Sequence, residues 1–171
     1  MVKIIGAALI MIATTWAGFE TARQLSERPR QLRALRSALQ SLEVEIMYGH
    51  TPLHEASRRI AAQIPNPLAE FFFKFAQKLV ETETTVKDAW EEVLAEVWGM
   101  TALKSNELEI MKQFGETLGR HDRLSQQKQI HLASTHLERE ENEARDIQTR
   151  YEKMVKSVGF LAGMLLIILL L

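Results

Sequence analysis

Residues 123–158 read RLSQQKQIHLASTHLEREENEARDIQTRYEKMVKSV, with no Pro and no Gly. Ile130, Ala133, Leu137, Ala144, Ile147, Tyr151, Met154 and Val158 fall on a heptad seam along this stretch, broken only at Glu140. Such spacing lines up one apolar stripe on an α-helix. The turn Gly119-Arg120-His121-Asp122 precedes it, with Asp122 a fitting N-cap. The next glycine is Gly159, so one long helix is expected to run from this turn directly into the apolar end of the chain, a rigid rod between domain and membrane.

Upstream, the same reading gives five shorter helices. Pro29 kinks or restarts a first helix. Its seam Leu32, Leu35, Leu39, Leu42 and Ile46 repeats at three- and four-residue intervals, and Gly49 closes it. Thr51-Pro52 reads as an N-cap followed by Pro at the first helical position, opening a helix through Ala62. Pro65-Asn66-Pro67 is a turn. Leu68 to Val80 is a third helix, with Phe71, Phe72, Phe73 and Phe75 covering more than one face. Thr85 and Asp88 form a capping box for a fourth helix holding Trp90, Val93, Leu94 and Val97. A fifth spans Ser105 to Leu118. Thr51–Ala56 and Thr84–Ala89 align at a shift of 33 residues, which two similar helix starts or a duplicated unit would both explain. Good helix formers dominate the composition and no alternating strand pattern stands out.

The ends are apolar. Ile4–Phe19 and Val158–Leu171 carry no charge, and residues 164–171 read MLLIILLL. Both are short of the roughly 20 residues that cross a bilayer, a mismatch met by thinning the bilayer or by homo-oligomerisation. A cleaved signal peptide is the rival reading of the first run, and a buried core helix that of the second. Arg23, Arg28, Arg30, Arg33 and Arg36 follow the first run. Arg145, Arg150, Lys153 and Lys156 precede the second, against Lys3 alone on the far side. The positive-inside rule therefore puts the middle in the cytoplasm and both termini outside. The expected architecture is all-α: a six-helix bundle flanked by N- and C-terminal transmembrane helices, divided at 1–20, 21–157 and 158–171. Ala13 with Ala17 and Gly159 with Gly163 are small-residue pairs that would let spans pack closely.

Chemistry is hard to find. There is no cysteine, which removes disulfides, thiolate zinc sites and cysteine nucleophiles. His50 and His54 straddle Pro52, and His131 and His136 are five apart, off a common helix face. Gly115-Glu-Thr-Leu-Gly119 lacks the Lys-Ser/Thr of a phosphate loop and a strand before it, so its glycines read as helix packing and a chain turn. Glu138, Glu140, Glu141 and Glu143, interleaved with Arg139 and Arg145, read as a solvated charged face. No catalytic residue, cofactor site or metal site is expected, and a net charge of -1 gives no field for nucleic acid. The one charge feature that stands out is the band Arg28, Arg30, Arg33 and Arg36, suited to anionic lipid headgroups or to an acidic partner.

Several strings together resemble the stage III sporulation protein AB family: Ala13-Thr-Thr-Trp-Ala-Gly-Phe-Glu20, Glu27-Arg-Pro-Arg-Gln-Leu32, Glu45-Ile-Met-Tyr-Gly-His-Thr-Pro-Leu-His-Glu-Ala56, Gln113-Phe-Gly-Glu-Thr-Leu-Gly119, His121-Asp122 and Tyr151-Glu-Lys-Met-Val-Lys156. The resemblance covers essentially the whole chain. It implies a role in endospore formation, as a subunit of the secretion-like channel between mother cell and forespore, in the mother-cell membrane around the forespore. It also implies a cytoplasmic domain similar to the F-type platform proteins of type II secretion, working beside a secretion-type ATPase. The expected function is a non-enzymatic platform; the alternative is a membrane-anchored adaptor or transport subunit with a site of its own.

Overall fold

The computed structural model describes residues 26–49, 51–81, 84–119 and 123–170, with the side chains of residues 81, 123, 156, 157 and 159–170 outside that description. Six α-helices follow one another among the described residues. Residues 26–44 form α1, which closes in a π-helical turn at Glu45–Gly49; α2 is Leu53–Ala61, α3 Leu68–Glu81, α4 Val86–Val97, α5 Ser105–Thr117 and α6 Arg123–Leu170. A 3-10 turn, Trp98–Met100, follows α4. Every regular element among the described residues is helical, in agreement with the all-α, six-helix reading. Pro29 does not end α1: residues 26–44 are helical through it.

The helix starts show where local chemistry decides. Thr85 is the N-cap of α4, its hydroxyl oxygen accepting the Asp88 N–H at 3.1 Å. The start of α2 differs from expectation. Its N-cap is Pro52, with no side-chain cap bond, while the Thr51 hydroxyl donates instead to Glu45 Oε2 at 2.6 Å. That carboxylate is a stronger acceptor than a neutral oxygen, and it draws Thr51 back toward the π turn. Gly119 takes a φ of 78° after α5, a left-handed conformation that glycine adopts without steric cost.

The seam of α1 is buried in full at Leu32, Leu35, Leu39 and Leu42, and Ile46 is half-buried in the π turn. At about 1.5–3 kcal/mol per large side chain removed from water, these leucines are a principal anchor of the core. α6 supplies Ile130, Ala133 and Leu137, all buried. Its cross-links to α1 run antiparallel: Gln127 Nε2 donates to Glu43 Oε1 at 2.8 Å, Arg36 meets Glu138, and Arg33 meets Glu141. The remaining helices pack in sequence, α2 on α3, α3 on α4 and α4 on α5.

Between α3, α4 and α5 lies an aromatic cluster centred on Trp90. Phe71, Phe75 and Phe114 meet its ring edge-on at centroid distances of 4.8, 4.9 and 5.5 Å, a favoured geometry for aromatic pairs. Trp90 Nε1–H donates to the Met111 carbonyl at 2.8 Å, which satisfies the one polar atom of the ring. Gly115 makes this approach of α4 and α5 possible, as the sequence reading expected: a Cβ there would stand 2.2 Å from Trp90 Cδ1.

One compact unit runs from Arg28 to Asn142, and the α6 residues from Glu143 onward belong to a second. From Ile147 onward the heptad seam turns outward, with Ile147, Met154 and Val158 exposed, whereas Ala144 is buried. Among the described residues, no helix is long and apolar enough to cross a membrane. The first expected span, Ile4–Phe19, lies outside the described residues. The second is helical to Leu170, but its side chains after Val158 fall outside the description.

Candidate functional site

Two regions of the bundle are candidates, and the arginine band of α1 builds the first. Arg28 is only 6% exposed. Its Nε and Nη2 donate to Glu107 Oε1 at 2.8 and 2.6 Å, and Nη2 also reaches Glu140 Oε2 at 2.8 Å. Glu107 is completely buried, at the N-terminal turn of α5. Its second oxygen, Oε2, accepts the Lys104 backbone N–H at 2.7 Å. The carboxylate is thus held by an arginine fork, a helix N-terminus and the dipole of α5 together. Such support is what a buried charge requires, since an unpaired one costs several kcal/mol.

Five and eight residues along, at Arg33 and Arg36, α1 repeats the device. Glu141 is 2% exposed and accepts Arg36 Nη1 at 2.7 Å and Arg33 Nε at 3.3 Å, while Arg36 Nη2 also meets Glu138 at 3.0 Å. Gln31 adds a further tie, its side-chain oxygen accepting the Ala102 N–H at 2.8 Å. α1 is therefore riveted to α5, to α6 and to the α4–α5 connection by charge-assisted or buried bonds.

This corrects two expectations. Arg28 was a candidate for lipid or partner contact, but its guanidinium is enclosed by Glu107 and Glu140 and presents no face to a headgroup. The expected solvated face of α6 does not include Glu140 and Glu141, which point inward to the arginines. The gap in the α6 seam at Glu140 is where Arg28 enters. Arg30 and Arg33 remain at the surface, the Arg33 side chain being 63% exposed, and Arg36 is largely covered. Ala13 and Ala17 lie outside the described residues. Gly159 and Gly163 lie within α6, their surroundings outside the description.

The second place is the outer surface of the α2–α3 hairpin. Arg58 and Ala61 of α2, with the C-cap Ala62, face Ala69, Glu70 and Phe73 of α3 across an open trough of about 480 Å³. Nearby charges are mostly paired. Arg59 meets Glu55 at 2.8 Å and Glu45 at 3.4 Å, and Lys74 meets Glu70 at 3.3 Å and Glu96 at 3.4 Å. Bonds from Glu70 and Glu96 hold the Lys74 ammonium above its ordinary pKa, and Glu92 does the same for Lys78. The Thr51 hydroxyl, with Arg59 behind it, keeps the Glu45 carboxyl below the usual range.

Of the histidines, His131 and His136 are exposed and His54 is half-buried, while His50 and His121 lie outside the described residues. Among the described residues, no three His, Asp or Glu side chains converge as a metal site would need.

The family model described as stage III sporulation protein AB matches residues 3–171. The chain belongs to the stage III sporulation protein AB family. The member from Bacillus subtilis (strain 168) is 57% identical over 170 residues, 99% of each chain. A solved structure of stage III sporulation protein AB (SpoIIIAB), 56% identical, superposes with a TM-score of 0.70 over 72% of this chain and 98% of that one. In the stage III sporulation protein AB frame, the strings quoted above acquire structural places. Glu27–Leu32 opens α1 and contains Arg28 and Gln31. Gln113–Gly119 ends α5 and contains the glycine against Trp90.

Proposed function

We propose that this sporulation protein is a non-enzymatic membrane platform of the channel between mother cell and forespore, with its bundle positioned beside a secretion-type ATPase. Family membership supplies the role in sporulation. The observation that carries the platform reading is α6, an uninterrupted helix from Arg123 inside the bundle to Leu170 in the closing apolar run. A platform needs a connection between its bundle and its membrane anchor, and α6 is continuous through both stretches of the chain. The charged rivets serve the same end by fixing α1 and α6 in one register. The apolar runs 4–19 and 158–171 supply the two anchors, in the mother-cell membrane around the forespore. The basic residues flanking both runs support a reading with the bundle in the cytoplasm and the termini outside.

Two measurements test this. A tagged chain, solubilised from sporulating cells, should co-purify with the secretion-type ATPase and other channel subunits; recovery of the chain alone would overturn the platform. Single cysteines at Val2 and Leu171 should react with a membrane-impermeant maleimide in intact cells, and one at Ser105 should not. The opposite labelling would reverse the topology.

A further inference from the structure

The trough between α2 and α3 has the form of a helix seat. One wall is built from Arg58 and Ala61 of α2 and the C-cap Ala62, at i, i+3 and i+4, the other from Ala69 and Phe73 of α3, at i and i+4, with Asn66 of the turn at one end. These are the spacings that stack side chains into ridges along a helix, and a third helix packs into the groove between two such ridges. Alanines on both sides let another backbone come close. Phe73 is 46% exposed, whereas Phe71, Phe72 and Phe75 on the same helix are turned into the core. A single exposed aromatic is ordinary; one that forms the wall of a small-residue trough is an anchor for an apolar ridge.

Charge identifies the occupant. Glu55 is engaged by Arg59 and Glu70 by Lys74, so the acids around the trough are neutralised. The Arg58 guanidinium is exposed and makes no hydrogen bond or ion pair with any described residue. The rim therefore offers one unspent positive fork, well shaped for a carboxylate. Anionic lipid recognition uses clusters of several free cations, and the lysines here are already paired.

We propose that the trough docks an amphipathic helix of another subunit of the complex, one whose apolar ridge seats against Phe73 and the alanines while a carboxylate beside it pairs with Arg58. The inference rests on the platform reading, since it needs a partner subunit. This is the helix-in-groove mode of recognition, with charge fixing the register.

The test uses the full chain in sporulating cells, with a photo-cross-linking benzoylphenylalanine at Phe73 and a comparator at His136 on α6. Illumination should give an adduct from position 73 to one other channel subunit. Mass spectrometry should place the adduct on a helical segment with an Asp or Glu next to its apolar ridge. Arg58→Glu should lower the adduct yield about tenfold, the scale of an attractive pair made repulsive, and an Asp or Glu→Arg change in that segment should restore it. Ala62→Leu, which fills the trough, should abolish the adduct without altering chain levels. An adduct to a second copy of this chain, an adduct to lipid, no adduct, or a yield indifferent to Arg58→Glu each overturns the proposal. Co-purification is followed in the same cells. If the complex assembles and position 73 stays silent, the trough is wrong and the platform stands; if the complex does not assemble around the unsubstituted chain, the platform itself fails.

Discussion

Gly115 and Trp90 are in such close contact that glycine is the only residue that fits: a methyl group at 115 would lie 2.2 Å from Cδ1 and 2.8 Å from Nε1 of the indole. The ring cannot step aside, because its Nε1–H is bonded to the Met111 carbonyl and three phenylalanines abut it within 5.5 Å. Gly115→Ala should therefore destabilise the full-length chain in detergent by about 1–3 kcal/mol, the range for overpacking a core. Gly99 provides the comparison, since a Cβ there meets nothing within 4 Å. Gly99→Ala should leave the thermal midpoint unchanged or slightly raised. Equal effects from the two would place the close approach of α4 and α5 elsewhere.

Arg28→Ala should be among the most damaging changes in α1. It strands Glu107, which is fully buried, and removes a partner of Glu140. Breaking one side of a buried ion pair costs about 3–5 kcal/mol. The same reasoning applies to truncation: a fragment of residues 26–157 should melt well above one of residues 30–157, although the shorter keeps every apolar seam residue of the core. Coincident denaturation curves would show that the cluster contributes nothing.

Glu141 and Glu143 look equivalent in sequence but stand in opposite environments, one buried against Arg33 and Arg36, the other exposed. Glu141→Gln should cost about 1.5–3 kcal/mol, the range for hydrogen bonds to charged groups. Glu143→Gln should fall within about 0.5 kcal/mol of wild type. Urea unfolding of the two variants side by side decides the matter, and matched midpoints would contradict the geometry.

Ile147→Pro tests α6 as a rod. Proline removes a backbone hydrogen bond and collides with the preceding turn, at about 3 kcal/mol or more inside a helix. Spore yield and assembly of the complex should both be lost, while Glu143→Gln leaves them intact. Normal assembly of the proline variant would mean that the continuity of α6 is dispensable.

Thr51→Val removes the hydroxyl that lowers the Glu45 pKa. A carboxyl with a depressed pKa adds stability above its unfolded pKa of about 4.3, and that stability is lost as pH falls through the folded value. The variant should thus be less stable than wild type near pH 7, and the gap should close as the pH drops below about 4. A gap independent of pH would point to packing rather than to the carboxyl.

Much of the fold was legible because helices announce themselves locally. The Thr85 cap, the Leu32–Leu42 seam and the turn at Gly119 all depend on residues within a few positions of one another. Even the misplaced start of α2 had its signal: the 33-residue alignment sets Pro52 opposite Thr85, and both are N-caps. The charged rivets were not legible. Arg28 finds Glu107 and Glu140 at separations of 79 and 112 residues, and no spacing rule reaches that far. The one local clue was the charge interrupting the α6 seam at Glu140. The trough of α2 and α3 was hidden for the same reason, since it exists only once two helices lie side by side.

The Arg28 cluster also shapes which sequences can descend from this one. Replacing all three ionised residues with well-packed apolar ones is often neutral or stabilising in other proteins, and Arg28 Nη1 is already buried without an acceptor. Every path to that outcome, however, passes through a chain with one or two stranded charges. Natural drift takes one substitution at a time, so the three positions are expected to be inherited together, held in place by the depth of the valley around them rather than by being the best solution available.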